Sequence, residues 1–183
     1  PGVLAQILVN ENVSDLVTIE ATDEDGDALL FNISGTDASA FNITSSGILT
    51  LVSNLDFENP SDNDSDNIYT LTVTVSDSAL SASVDFALTV QNVNDNAPVI
   101  SNLPSNTDVS NGQTSVVTIT VTDADNDTAE LSLSGVDSSA LNISSDGAIA
   151  FNSSPNFASP SDSNGDNVYE FTVHANDVVH DVT

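Results

Sequence analysis

The sequence repeats itself at an offset of one hundred residues, and that periodicity constrains the fold more than any other feature. "TDEDGD" at 22–27 aligns with "TDADND" at 122–127, "SGTDASAFNI" at 34–43 with "SGVDSSALNI" at 134–143, and "DNIYTLTVTVSD" at 66–77 with "DNVYEFTVHAND" at 166–177. No gap is needed, and 24 of the 56 positions from 22 to 77 recur one hundred residues later. The 183 residues therefore divide into two homologous domains, 1–96 and 97–183, joined at "NVNDNAP". Each must complete a core within about a hundred residues, a modest but sufficient length.

"LVTIEATD" and "VVTITVTD" alternate apolar and polar residues, as half-buried strands do. "ALLFNIS", "GILTLV", "NIYTLTVTVSD" and "VDFALTVQNV" supply further strands, separated by Gly, Asn, Asp, Ser and Pro clusters. With the N-terminal "QILVNE", each repeat approaches about seven strands, the count of a Greek-key immunoglobulin-like sandwich. No stretch has helical periodicity, so the chain is expected to be all-β: two tandem sandwiches. Tyr69, Tyr169, Phe57 and Phe157 are expected in the cores. The counterpart of "VDFALTVQNV" (84–93) falls just beyond Thr183, so the second sandwich is expected to lack its last strand. Such a sandwich has an open sheet edge. Truncation is the simpler account, and a strand donated by another chain is the alternative.

The charge balance narrows the function. There are 28 Asp and Glu against no Lys or Arg, a formal charge of −28. No conventional salt bridge can form, and self-repulsion opposes compaction unless salt or bound cations screen it. Nothing here can neutralise phosphates, so nucleic acid is not an expected partner and anionic membrane surfaces are poor ones. Cysteine is absent, so there is no disulfide or thiolate metal site. No apolar run reaches the ~18 residues of a membrane span, and no signal peptide is evident. Membrane insertion is not expected, and the chain reads as a soluble piece of something larger. An enzyme is not expected either. The two His fall in the second repeat without a Ser-His-Asp arrangement, and His174 sits on a strand as a structural residue. Asp56 and Glu58 have the residue types of a glycosidase pair, but their setting suits ligands better.

Most of the scattered acids read as solvated surface; some are clustered. Glu11 lies near the end of the first strand, Asp56 and Glu58 in the loop "LDFE", and Asp95 in the linker. Asp123 and Asp125 follow "VVTITV", and Asp177 ends "YEFTVHAN". In sandwiches whose termini lie at opposite ends, these seven carboxylates are expected to converge at the linker, where they would need cations. Calcium suits such a set: it takes 6–8 oxygen ligands in irregular geometry. Zinc and copper lack their usual Cys and His ligands, and magnesium demands a tighter octahedron. "DEDGD" begins like an EF-hand loop, but the twelfth position is Ser34 rather than Glu, which rejects that motif.

The order "EN", "TDxD", "LDFE", "VSD", "NVNDNAP" resembles the extracellular cadherin repeat, matching best the tandem bacterial cadherin-like domains of large adhesins. The resemblance covers essentially the whole chain. It implies Greek-key sandwiches with Ca2+ bound at each linker. By resemblance, Glu11, Asp56 and Glu58 are ligands from the first repeat, and Asp123, Asp125 and Asp177 from the second. Asn94 and Asp95 resemble the linker's side-chain ligands, with the carbonyls of Val93 and Asn96 assisting. Asn92 stands where the family usually has Asp, and Phe57 where Arg is common. Asn111, Asn156 and Ala158 replace Glu11, Asp56 and Glu58 in the second copy, so the joint below it is expected to bind calcium weakly or not at all. Asp23, Asp25 and Asp77 are expected to serve a half-site toward a preceding domain. Asp62, Asp66, Asp162 and Asp166 read as a solvated loop, with a separate ion as the alternative. The function implied is a calcium-rigidified spacer or adhesion module, extracellular, secreted or at the cell surface. Its partners are neighbouring repeats and a homotypic or cell-surface partner. The alternatives are a filament subunit completed by a donated strand, or a carbohydrate- or partner-binding module, for which few aromatics are on offer. The sequons "NVS", "NIS" and "NIT" read as coincidental in an Asn-, Ser- and Thr-rich chain.

Overall fold

Alternating Val, Ile, Leu and Phe with Thr and Ser produces short strands in both halves of the chain. The computed structural model describes residues 5–13 and 15–183 and divides the chain into two compact units, Pro1–Val93 and Asn94–Thr183. Among the described residues, no helix is long and apolar enough to cross a membrane.

Unit 1 contains β1 (Ala5–Asn10), β2 (Asp15–Thr18), β3 (Leu30–Ser34), β4 (Phe41–Ile43), β5 (Ile48–Leu51), β6 (Ile68–Ser76) and β7 (Ser81–Gln91). They form two sheets, β1-β7-β6-β3 and β2-β5-β4. β1 runs parallel to β7, with Ala5 opposite Phe86 and Asn10 opposite Gln91. β6 pairs antiparallel with β7 over the full length of β6, Ile68 opposite Thr89 through Ser76 opposite Ser81. The chain changes sheet between β1 and β2, between β2 and β3, between β3 and β4, and between β5 and β6, a Greek-key path. Tyr69, Leu71 and Val73 alternate inward along β6 and meet Phe41 and Leu49 of the other sheet, with Phe86, Leu88 and Val90 from β7. Each fully buried side chain of this kind contributes about 1.5–3 kcal/mol. The Tyr69 ring meets Phe41 edge-on at 6.0 Å, a favoured aromatic geometry.

The turn before β5 depends on a glycine. Ile19 donates its N–H to the Gly47 carbonyl at 2.8 Å, and Gly47 has φ +80, where a Cβ would collide with the Ile19 carbonyl oxygen. Gly147 repeats this against Ile119 in unit 2.

Unit 2 contains β8 (Val99–Ser101), β9 (Ser115–Thr118), β10 (Thr120–Thr122), β11 (Glu130–Ser134), β12 (Leu141–Ile143), β13 (Ala148–Phe151), β14 (Thr172–Asn176) and β15 (Asp181–Val182). Its sheets are β10-β8, β11-β14-β15 and β12-β13-β9. Ile119, Leu141, Ile149, Phe151 and Val173 form its core.

The chain is all-β with immunoglobulin-like sandwich topology, as its alternation predicts. The two residues of β15 match the first two residues of β7, 81–82. They pair Ala175 with Val182 and Asn176 with Asp181. β14 begins at Thr172 whereas β6 begins at Ile68, and Tyr169 is only half-buried where Tyr69 is fully buried. Phe157, expected in the core, is 73% exposed. The apolar wall that Leu88 and Val90 give unit 1 has no counterpart among the described residues of unit 2.

Candidate metal centre

In unit 1 the chain leaves β1 at Glu11, whose N–H donates to the Gln91 carbonyl at 3.1 Å. The Glu11 side chain is buried at 3% exposure. Its Oε1 accepts the Val93 N–H at 2.8 Å and its Oε2 the Phe57 N–H at 2.7 Å. One carboxylate thus ties the "LDFE" loop to the last residue of the unit. Asp56 is exposed and caps its own loop, accepting the Asn59 N–H at 2.9 Å; Glu58 is half-buried. Backbone N–H groups ease the burial of Glu11's charge without neutralising it, and the sequence has no Lys or Arg to do so.

In unit 2, Asp125 is 5% exposed. Its Oδ2 accepts the N–H groups of Asp95 at 3.1 Å and Asn96 at 2.8 Å, and its Oδ1 accepts the Asn96 side-chain amide at 3.0 Å. That side-chain amide also donates to Asp95 Oδ1 at 2.7 Å. Asn94 donates through Nδ2 to the Asp177 carbonyl at 3.0 Å. These bonds draw residues 94–96 into unit 2. Asp123 Oδ1 accepts the N–H groups of Asp125 at 2.9 Å and Asp127 at 3.4 Å, in a turn where Asn126 takes φ +62.

Two oxygens here are buried without a hydrogen-bond partner: Asn94 Oδ1 and Asp123 Oδ2. Asp123, Asp125 and Asp127 each bring an oxygen within 4.8 Å of the others. Three converging carboxylates, one of them with a buried oxygen that no donor meets, fit a hard cation such as calcium and no soft metal. Asp127 was not foreseen as a member, although the D-x-D-x-D spacing of 123, 125 and 127 carries that signal.

Asp177 is held by its own turn. It is 3% exposed, and its Oδ1 accepts the N–H groups of Val179 at 2.9 Å and His180 at 2.5 Å. Its Oδ2 lies 3.0 Å from His180 Nδ1. Burial pushes this carboxyl up, but the His180 N–H, the His180 imidazole and the Val179 N–H together outweigh it and hold the carboxyl below its ordinary range. His174 sits between Ser134 Oγ at 2.7 Å and Asp181 at 3.3 Å, a cross-strand structural residue.

Asp23, Asp25 and Asp77 of unit 1 form no comparable three-carboxylate cluster among the described residues. Asp23 accepts the N–H groups of Asp25 at 2.9 Å and Asp27 at 3.0 Å. Asp77 accepts those of Leu80 and Ala79, which hold its carboxyl below the usual range. In the second repeat, Asn111 accepts the Phe157 N–H at 2.9 Å, as Glu11 accepts that of Phe57. Asn156 accepts the Ala158 N–H at 3.0 Å. The second copy keeps the acceptors that shape the loop and discards their charge.

Sequence reasoning missed a pair of buried acids. Asp37 is 5% exposed and accepts the N–H groups of Asn63 and Thr70, both at 2.8 Å. Asp137 repeats this with Ser163 at 2.7 Å and Glu170 at 2.9 Å. The Glu170 and Ser163 N–H groups hold the Asp137 carboxyl below its ordinary value. In the loop that Asp37 tethers, Asp64 is raised, first by the charge of Asp66, then by burial and by the facing carboxylate of Asp62.

No family profile and no curated protein sequence matches the chain. Solved structures do. Drosophila N-cadherin EC1-4 aligns at TM-score 0.75 and 29% identity, over 94% of this chain and 43% of that one. Human protocadherin-24 EC1-2 aligns at TM-score 0.70 and 24% identity, over 95% of this chain and 83% of that one. Extracellular cadherin domains 3-6 of protocadherin gamma B2 align at TM-score 0.67 and 19% identity, over 94% of this chain and 41% of that one. The chain spans less than half of the Drosophila structure, and the fold it shares with all three is that of cadherin extracellular domains.

Proposed function

We propose that this chain is a calcium-binding, calcium-rigidified segment of an extracellular adhesion protein built from such repeats. The observation that carries the reading is the Asp123–Asp125–Asp127 trio, with oxygens within 4.8 Å of one another and a buried, unpaired Asp123 Oδ2, in a chain without Lys or Arg. A bound divalent cation would supply the missing positive charge and accept several oxygen ligands at once. Asp123, Asp125, Asp177, Asn94, Asp95 and the carbonyls of Val93 and Asn96 are the ligands proposed around the linker. Glu11, Asp56 and Glu58 are proposed to contribute to the same ions. Asp23, Asp25 and Asp77 are proposed to serve a preceding repeat. The pinning of Glu11 by the Val93 N–H supports a ligand whose position depends on the linker's own backbone. Ordering by mass action makes stiffness a function of calcium concentration. Neighbouring repeats of one protein and a cell-surface or homotypic partner are the proposed contacts.

The test is rotational diffusion of the chain by NMR relaxation, with calcium and with chelator. Calcium is expected to lengthen the correlation time of both units together, and Asp123→Asn to abolish that response. Equal tumbling with and without calcium would overturn the proposal.

A further inference from the structure

We propose that the loop 62–66 of unit 1 is a separate, single-ion site for a hard divalent cation of the calcium class, built from Asp62, Asp64 and Asp66 within one unit. It does not rest on the linker ligands, since none of those residues takes part.

The sequence reads "SDNDSDN", with carboxylates at alternate positions. Ser65 and Asn67 take left-handed backbone conformations, φ +58 and +64, which fold the loop back on itself. Oxygens of Asp62, Asp64 and Asp66 lie within 4.8 Å of one another. Spacing alone would leave this an acidic loop. The decisive observation concerns Asp62, which is 6% exposed. Its Oδ2 accepts the Asp66 N–H at 2.9 Å, but its Oδ1 is buried with no hydrogen-bond donor. An anionic oxygen withdrawn from water beside two further carboxylates is costly unless a positive charge faces it.

The carboxylates cannot simply splay apart, because the loop is tethered from outside. Asp37 holds the Asn63 N–H at 2.8 Å, and the Tyr69 hydroxyl accepts the Ser61 N–H at 3.1 Å. Asn67 Nδ2 donates to the Phe57 carbonyl at 2.9 Å.

The second repeat supplies an internal control. Its loop keeps the same tethers: Asp137 to the Ser163 N–H at 2.7 Å, and Tyr169 to the Ser161 N–H at 3.2 Å. Asp162 Oδ2 accepts the Asp166 N–H at 2.8 Å. But the middle acid is Asn164, whose Nδ2 donates to Asp166 Oδ2 at 3.0 Å. Asp162 Oδ1, the counterpart of the orphaned atom, accepts the Asn167 N–H at 3.3 Å. One side-chain amide and one backbone N–H do in unit 2 what the bound cation would do in unit 1. All-oxygen donors with two exposed members leave room for water ligands and suit calcium over zinc or copper.

The experiment is calcium titration of the full chain by calorimetry, alongside Asp64→Asn, which copies the second repeat at an exposed position, and the reciprocal Asn164→Asp. Asp64→Asn is expected to remove about one ion per chain or weaken that step about tenfold or more, and Asn164→Asp to add one. Terbium luminescence sensitised through Tyr69, read in a Tyr169→Phe background, is expected to fall with Asp64→Asn and to be displaced by calcium. In Asp123→Asn the loop signal should persist, which separates this site from the linker. Unchanged stoichiometry and luminescence in Asp64→Asn would overturn the proposal. So would a carboxyl NMR signal showing Asp64 protonated at neutral pH in calcium, since a shared proton would then do the work assigned to the ion.

Discussion

A carboxylate withdrawn from water needs donors, and with no Lys or Arg in the sequence most come from N–H and O–H groups. Asp137 is the clearest case, because the Glu170 and Ser163 N–H groups bind its charged form and lower its pKa. A group lowered on folding contributes stability that is present above its unfolded value and lost as pH falls through its folded value. The contribution of Asp137 is therefore intact above pH 3.8, its ordinary value, and disappears at more acidic pH. Asp137→Asn is expected to flatten the loss of unit 2 stability over that acid window. Urea unfolding followed from mildly acidic pH downward checks this; an unchanged acid slope would refute it. Residues of this kind escaped the sequence reading for a simple reason. The partners of Asp137 lie 26 and 33 residues away, so no local spacing reveals them. Glu11, Asp123 and Asp125 could be singled out as candidates because the motifs that carry them stand in the order of the repeat they resemble.

At the scale of elements, β6 was legible from its alternation. β6 runs nine residues beside the eleven-residue β7, whereas β14 runs five beside the two-residue β15. The three-residue strands β4 and β12 were not anticipated, being too short for any period to show. Gly47 controls the entry to β5. Gly47→Ala must both occupy φ +80 and displace the Ile19 carbonyl, so a loss of about 2–4 kcal/mol in unit 1 is expected. Gly26 has φ +78 but open space around its missing Cβ, and Gly26→Ala should cost only about 1 kcal/mol. Chemical denaturation of both variants measures the difference, and equal costs would show that backbone strain alone governs the turn.

At the scale of the whole molecule, a formal charge of −28 makes stability depend on counter-ions. Monovalent salt screens diffuse repulsion with a Debye length of about 10 Å at 0.1 M, and it acts on every carboxylate alike. Specific coordination acts only where oxygens already converge. The thermal midpoint is expected to rise gradually with sodium chloride, and to rise further on adding low-millimolar calcium at a fixed high salt concentration. Scanning calorimetry distinguishes the two: a calcium effect fully reproduced by an equal ionic strength of sodium chloride would argue for screening alone. By itself the sequence determined the twofold repetition, the all-β class and the excess of negative charge, because alternation, self-similarity and composition are properties of the chain read locally. Only the tertiary structure decided which acids lose their water. Asp62 is buried while Asp64, two residues away, is exposed, and Asp62 Oδ1 has no donor where Asp162 Oδ1 has one. Burial and donors come from whichever loops and strands fold over a residue, and sequence spacing does not encode them.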